Sequence, residues 1–86
     1  MNSDLYQLAI DKWGAKAQLT VAIEELSELI KEICKINRGM GTIHNLAEEV
    51  ADVEIMCEQL RYIFEIDSVV DEWKESKLTR LANRLK

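Results

Sequence analysis

Two pairs of carboxylates stand out among the 16 acidic residues of this 86-residue chain. Glu25 and Glu28 are three residues apart, and Glu49 and Asp52 repeat that spacing after an interval of 20 residues. Residues three apart in an α-helix are neighbours on one face. Each pair can therefore direct two carboxylates to the same side of its helix. Carboxylate oxygens without histidine or cysteine are the ligands that Mg²⁺ and Mn²⁺ prefer.

The apolar neighbours of these acids indicate where the acids point. Glu25 and Glu28 border the apolar arc of their helix, whereas Glu49 and Asp52 fall inside the apolar face of theirs. Carboxylates that meet at such a seam lose hydration and repel one another. No basic residue lies beside them, so a divalent cation is the simplest compensation, and a phosphorylated ligand would suit Mg²⁺. A single such pair is usually a solvated helix face; two pairs at one seam favour a metal site.

Three further acids flank the pairs. Glu32, one turn beyond Glu28, fits an extra ligand or a general base as well as it fits a surface glutamate. Glu24 and Glu48 each precede a pair, and both are weaker candidates for contact with a metal or its water.

Helices must position these groups, because the chain has no proline, only three glycines and 48% hydrophobic residues. The pattern predicts a short first helix over 3–12, a second over 15–36, a third over 46–64 and a last one that reaches the C-terminus. The apolar residues at helical spacing in the second helix are Leu19, Ala22, Ile23, Leu26, Leu29, Ile30 and Ile33. We expect one all-α domain, 1–86, formed as an antiparallel bundle of three long helices plus the short N-terminal one.

Capping residues suggest where the later helices begin. Asn45 followed by Glu48 resembles a capping box, and Asp67 or Ser68 is placed to cap the last helix. The short connection before Asn45 makes the two central helices antiparallel. A chain of this length has a small core, so the bundle is expected to be completed by oligomerisation.

Charge and cysteine content disfavour several classes of protein. The net charge of -5 opposes broad binding to nucleic acid. Short apolar runs and the lack of a signal pattern indicate a cytoplasmic protein without a membrane span. Cys34 and Cys57 lack the spacing of a zinc site and are interpreted as buried thiols.

The segments WGAKAQLTVAIEELSELIKEI and NLAEEVADVEIM carry a family resemblance. They resemble the MazG-like branch of the all-α nucleoside triphosphate pyrophosphatases, whose ExxE and ExxD pairs read here as Glu25-Leu-Ser-Glu28 and Glu49-Val-Ala-Asp52. The resemblance extends from Trp13 to about Phe64.

The resemblance implies hydrolysis of a nucleoside triphosphate between its α and β phosphates, with Mg²⁺, or Mn²⁺ as a substitute, held by those four catalytic acids. It also implies a homodimer or homotetramer. Gln18 matches a glutamine that often precedes the acidic pair in the family, and it could bind a base or sugar or be a surface residue.

Three other residues are weaker candidates for substrate binding. Trp13 could stack on a base but is more often a core residue in such a position, as is Trp73 on the last helix. Lys77 and Arg80 resemble phosphate-binding residues of the family, although cations near a helix C-terminus need no ligand.

Alternative functions remain open in the sequence. A phosphoribosyl-ATP pyrophosphatase, or an enzyme specific for deoxyuridine or deoxycytidine triphosphate, would share the architecture. A non-catalytic helical module with a structural metal ion would share the carboxylates. A nucleic-acid binder would use the basic segment 74–86.

Overall fold

A computed structural model describes all 86 residues and contains four α-helices and no strand. Their bounds are α1 (Ser3–Trp13), α2 (Ala15–Asn37), α3 (Ile43–Ile63) and α4 (Asp67–Arg84). The all-α fold class is therefore confirmed. None of the four helices combines the length and the apolar character needed to cross a bilayer.

A single glycine separates the first two helices. Gly14 has φ 87°, in the left-handed region where side chains are rare, and its N–H donates to the Ile10 carbonyl at 2.7 Å. The chain can therefore leave α1 and enter α2 without an intervening loop.

The α2–α3 pair forms the centre of the molecule. α2 packs mainly against α3, and α1 contacts both. Gln18 near the start of α2 bonds Gln59 near the end of α3, whereas Glu25 further along α2 lies beside Asp52. This order of contacts makes the two helices antiparallel, as expected.

Two of the expected helix caps are wrong. α3 begins at Ile43 because the Thr42 hydroxyl accepts a hydrogen bond from the Asn45 N–H at 3.1 Å, so Asn45 is inside the helix. At the start of α4, Ile66 precedes the helix and no side chain caps it.

Ion pairs hold the start of α4 where a cap was expected. Arg61 of α3 contacts Asp67 at 2.9 Å and Asp71 at 2.8 Å. Hydrogen bonding to the Arg61 guanidinium holds the pKa of the Asp71 carboxyl below its usual value.

We expect Thr42→Ala to lower the free energy of unfolding by about 1 kcal/mol, because the Asn45 N–H loses its acceptor. Urea denaturation followed by circular dichroism measures this change. Thr20→Ala is the control, since Thr20 is exposed inside α2 and alanine favours the helix. An equal loss in both variants would contradict the capping role.

Few side chains are buried in the single chain. Five residues are buried, and they are Tyr6, Gln18, Ala22, Met56 and Gln59. Trp13 and Trp73 are each 60% exposed, and Cys34 and Cys57 are exposed as well. The expectation that these four side chains are buried is wrong for the single chain, because no other helix of the chain covers them.

Most of the apolar arc of α2 faces away from α3. Ile23 is 68% exposed and Ile30 61% exposed, with Leu26 and Ile33 also uncovered. The expectation of an arc packed within the chain is therefore wrong for these four residues, whereas Ala22 of the same arc is buried and Leu19 and Leu29 are half-buried. The seam with α3 is formed instead by the face that carries Gln18, Ala22 and Glu25.

The overall dimensions agree with this open packing. The radius of gyration is 15.5 Å, whereas a compact domain of this length has about 12 Å. The accessible surface is 6728 Å², compared with about 5200 Å² for a compact monomer of this mass. The single chain thus exposes far more surface than a compact domain does.

Candidate metal centre

Three carboxylates meet at the α2–α3 seam. Glu25 comes from α2, and Glu49 and Asp52 come from α3. One carboxylate oxygen from each lies within 4.8 Å of the others, and all three residues are half-buried. A single cation could contact all three side chains.

The helices themselves produce this arrangement. Glu49 and Asp52 are one turn apart on α3 and so share a face. The antiparallel register that pairs Gln18 with Gln59 brings Glu25 to the same level, because Glu25 and Asp52 are each seven residues from those glutamines. Ala22 and Met56, both buried, fill the intervening layer. The seam therefore has an amide layer, an apolar layer and an acidic layer in succession.

Burial and repulsion both act on these acids. Desolvation raises the pKa of Glu25, and the adjacent Asp52 raises it further. Desolvation likewise raises the pKa of Glu49, with additional repulsion first from Asp52 and then from Glu28. Both shifts favour the protonated form of these two carboxyl groups in the folded chain.

The protein offers no cation to this group. The basic partners in the chain are Lys31 for Glu28, Lys35 for Glu32 and Arg61 for the acids of α4. The Oε2 atom of Glu49 is buried without a hydrogen-bond partner. Buried polar atoms are nearly always partnered, so an orphaned carboxylate oxygen beside two other acids fits a metal ligand. The all-oxygen donor set fits Mg²⁺ or Mn²⁺.

Glu28, the fourth predicted ligand, lies at the edge of the group. Its side chain is 51% exposed and its carboxylate is 4.0 Å from the Lys31 Nζ. It is outside the set of three, yet its charge contributes to the raised pKa of both Glu25 and Glu49. Glu28 therefore adds negative charge near the three carboxylates without belonging to their set.

The flanking acids occupy different environments. Glu24 and Glu48 are exposed. The Glu32 side chain is only 12% exposed; its Oε1 bonds Lys35 at 3.2 Å and its Oε2 is buried without a partner. Its contact with Lys35 favours a supporting position over proton transfer to solvent.

The predicted substrate-binding residues fall into two groups. Gln18 is buried in the same seam as the carboxylates, and Trp13 lies near it at the end of α1, with the Lys12 Nζ 5.3 Å from the Trp13 ring. Lys77 and Arg80 are on the exposed half of α4, which packs against α3 alone. The single chain therefore does not bring Lys77 and Arg80 to the carboxylates.

The sequence analysis does not predict Gln59 as a residue of this seam. It is 8% exposed and accepts a 2.7 Å hydrogen bond from the Gln18 Nε2. The available signal was its spacing, because Gln59 follows Asp52 by the same seven residues by which Gln18 precedes Glu25.

Comparison with protein-family models, curated proteins and solved structures finds no match for this chain.

Proposed function

We propose that this protein is a Mg²⁺-dependent nucleoside triphosphate pyrophosphohydrolase similar to the MazG-like enzymes, acting in the cytoplasm to cleanse or balance a nucleotide pool. The observation that carries the proposal is the meeting of Glu25, Glu49 and Asp52, with a buried oxygen of Glu49 left without a partner. The two sequence segments that resemble the family contain all three residues.

In this proposal the carboxylates hold the metal and orient the phosphates. Glu25, Glu49 and Asp52 would be ligands, and Glu28 would complete the set from the exposed edge. When bound, Mg²⁺ would neutralise phosphate charge and lower the pKa of the attacking water. Mn²⁺, which accepts the same oxygen ligands, would be a substitute.

The reaction balances as a hydrolysis. Water forms a bond to the α-phosphorus, the bond to the oxygen bridging the α and β phosphates breaks, and pyrophosphate leaves in line with the attack. The proton of the water passes to solvent at the exposed edge of the site, because Glu28 is used as a ligand and the free oxygen of Glu32 is buried. The products are a nucleoside monophosphate and pyrophosphate.

The purified protein should convert one or more nucleoside triphosphates into monophosphate and pyrophosphate with Mg²⁺ and not with EDTA. A panel of ribo- and deoxynucleotides, separated by anion-exchange chromatography, identifies the products and the preferred base. Diphosphate plus phosphate as products would contradict cleavage at the α phosphate. Absence of turnover from folded, Mg²⁺-binding protein would contradict the enzymatic proposal.

The functional unit in this proposal is a homodimer joined through α2. The exposed residues Leu26, Ile30 and Ile33, together with Leu19 and Ile23, follow the alternating spacing of four and three that forms a coiled-coil seam. The excess accessible surface of the single chain, about 1500 Å², exceeds the roughly 800 Å² that each partner buries in a standard interface.

The chemistry along this seam suits a second copy of the same chain. The flanking positions on one side are the exposed residues Thr20, Ser27 and Cys34, and on the other side Ala22, Leu29 and Ile36, which are buried or half-buried in the single chain. None is charged, so a self-complementary contact between two identical helices places no like charges opposite each other. A homotetramer would need another surface, for which the exposed apolar residues of α4 are available.

A second candidate function is a non-catalytic helical module. The extent of exposed apolar surface favours it, because assembly alone would explain that surface. It predicts oligomers and metal-dependent stability without turnover, so the product assay separates it from the enzyme.

A further inference from the structure

A small cavity opens beside the amide layer of the α2–α3 seam. Its volume is about 310 Å³, at the lower end of the range of small-molecule sites. Leu5, Leu8 and Trp13 of α1 and Ile55 of α3 form apolar walls. Gln18 and Gln59 also line it, and Gln18 is its single lining residue from α2. The apolar stripe that we assign to the dimer is therefore not part of this cavity.

The two glutamines have unused hydrogen-bonding capacity. The Gln18 Nε2 donates to the Gln59 Oε1 at 2.7 Å, and the Gln59 Nε2 reaches only the Met56 sulfur, a weak acceptor, at 3.7 Å. The Gln18 side-chain oxygen, Oε1, has no protein donor. Gln18 is 6% exposed and Gln59 8% exposed, and the little of each side chain that is accessible lies at the cavity that both residues line. A polar ligand in the cavity would satisfy both a free acceptor and a poorly used donor.

The position of the cavity relative to the carboxylates suits a nucleotide. Gln18 is two helical turns, about 10.5 Å, from Glu25, and Gln59 is equally far from Asp52. The buried layer of Ala22 and Met56 closes the direct route inside the seam. Ile55, which is 47% exposed and lines the cavity three residues beyond Asp52, marks an open route along the edge of α3.

We propose that this cavity binds the nucleobase of the substrate, with Gln18 and Gln59 bonding the polar edge of the base. The inference rests on the proposed function and adds the location of base selection. A base has a flat apolar face and an edge that carries neighbouring donors and acceptors, which matches apolar walls around an amide pair. The sugar then spans the edge at Ile55 and carries the phosphates to Glu25, Glu49 and Asp52.

Binding of unphosphorylated nucleosides in EDTA tests this cavity without using the metal site. We expect at least one nucleoside from a panel of uridine, cytidine, adenosine, guanosine and their deoxy forms to shift the side-chain amide NMR signals of Gln18 and Gln59. The same nucleoside should change the emission of Trp13 in Trp73→Phe protein, where Trp13 is the only tryptophan. Binding should persist in Glu49→Gln, which removes a metal ligand and leaves the cavity intact.

The matched variant is the double substitution Gln18→Leu with Gln59→Leu. Replacing both partners with apolar groups of similar size leaves no buried amide unpaired, so the fold is retained. Nucleoside affinity should fall by about tenfold or more, since two hydrogen bonds are lost. Gln7→Leu, a change outside the cavity, should leave affinity unchanged.

The outcomes separate the cavity from the catalytic proposal. Nucleoside binding that the double substitution abolishes supports the cavity even if no triphosphate is hydrolysed. If the double variant hydrolyses nucleotides with the same KM and base preference as the natural protein, the proposal that the cavity binds the base is wrong. The proposal that the protein is a hydrolase is then unaffected. The cavity proposal is also wrong if the NMR signals of the two side-chain amides are shifted neither by any nucleoside nor by the nucleotide that the protein hydrolyses.

Discussion

Replacing Glu49 with glutamine should lower Mg²⁺-dependent hydrolysis about a thousandfold. Glutamine keeps the size of the side chain but removes the charge from the one cluster member whose buried oxygen has no partner. Charge stabilisation by a bound metal is worth several kcal/mol in such reactions, and each 1.36 kcal/mol is a factor of ten in rate. Steady-state kcat/KM at saturating Mg²⁺ measures the loss.

The same substitution should stabilise the metal-free protein. The pKa of Glu49 is raised in the folded state by desolvation and by Asp52, Glu28, Glu48 and Glu32, so its negative charge opposes folding at neutral pH. Glutamine removes that repulsion, and thermal unfolding in EDTA should shift to higher temperature. Addition of Mg²⁺ should raise the unfolding temperature of the natural protein and have little effect on the variant.

The direction of the pH dependence follows from the raised pKa. A carboxyl group with a raised pKa in the folded state binds its proton more tightly there than in the unfolded chain. Protonation therefore increasingly favours folding as the pH falls from the folded pKa toward the ordinary value of 4.5. The advantage of Glu49→Gln over the natural chain should therefore be greatest at neutral pH and shrink with acidification. Unfolding midpoints of both proteins at matched concentration between pH 8 and pH 4.5 measure the difference.

Glu54→Gln supplies the control for charge. Glu54 is exposed on the same helix, five residues from Glu49, and belongs to no part of the acidic group. It should retain activity and show no enhanced stability in EDTA. If Glu49→Gln and Glu54→Gln had equal activity and equal Mg²⁺ response, the cluster would have no metal-dependent role.

The central elements were predictable because their signals are local. The three-and-four spacing of apolar residues in α2 and α3, with the glycines before α2 and between the two helices, predicts the helices, and a short connection makes them antiparallel. The start of α3 was missed because two residues could cap it. Thr42, which bonds the Asn45 N–H, competes with Asn45 itself, and only the backbone geometry decides between them.

The face of α2 that packs on α3 could not be predicted from its sequence. A wheel shows an apolar arc through Ile23, Ile30 and Ile33, and hydrophobic burial satisfies that arc equally well against the same chain or another chain. The structure packs the edge of the arc that carries Ala22, together with Glu25, on α3. Small Ala22 permits close approach of the helices, whereas the branched stripe is left outside.

The cluster of three carboxylates could be predicted in part from the sequence. Spacing placed Glu49 and Asp52 on the inner face of α3, and the register of the antiparallel pair adds Glu25. The exposed position of Glu28 depends on the rotation of α2 about its axis, which the motif does not contain. Gln59 was missed because a glutamine on a helix is ordinarily exposed, and its burial follows only from the pairing with Gln18.

Ile30→Glu should convert a homodimer into a monomer. Ile30 is 61% exposed in the single chain and lies in the middle of the stripe. In a two-fold contact each copy loses one buried isoleucine, which removes about 3–6 kcal/mol in total and raises the dimer dissociation constant by at least about a hundredfold. The new carboxylates also lose hydration at the interface. Sedimentation equilibrium over a range of protein concentrations measures the constant.

Ile43→Glu is the control that shows whether the α2 stripe, and not any exposed apolar residue, forms the dimer. Ile43 is 70% exposed at the first turn of α3 and is outside the α2 stripe, so the same substitution there should leave the dimer mass unchanged. A natural chain that sediments as a monomer would contradict self-association, and equal effects of the two substitutions would contradict the assignment to α2. Glu25 lies on α2, so loss of the dimer should also loosen the arrangement of Glu25 with Glu49 and Asp52. Ile30→Glu should therefore weaken the stabilising effect of Mg²⁺, whereas Ile43→Glu should preserve it.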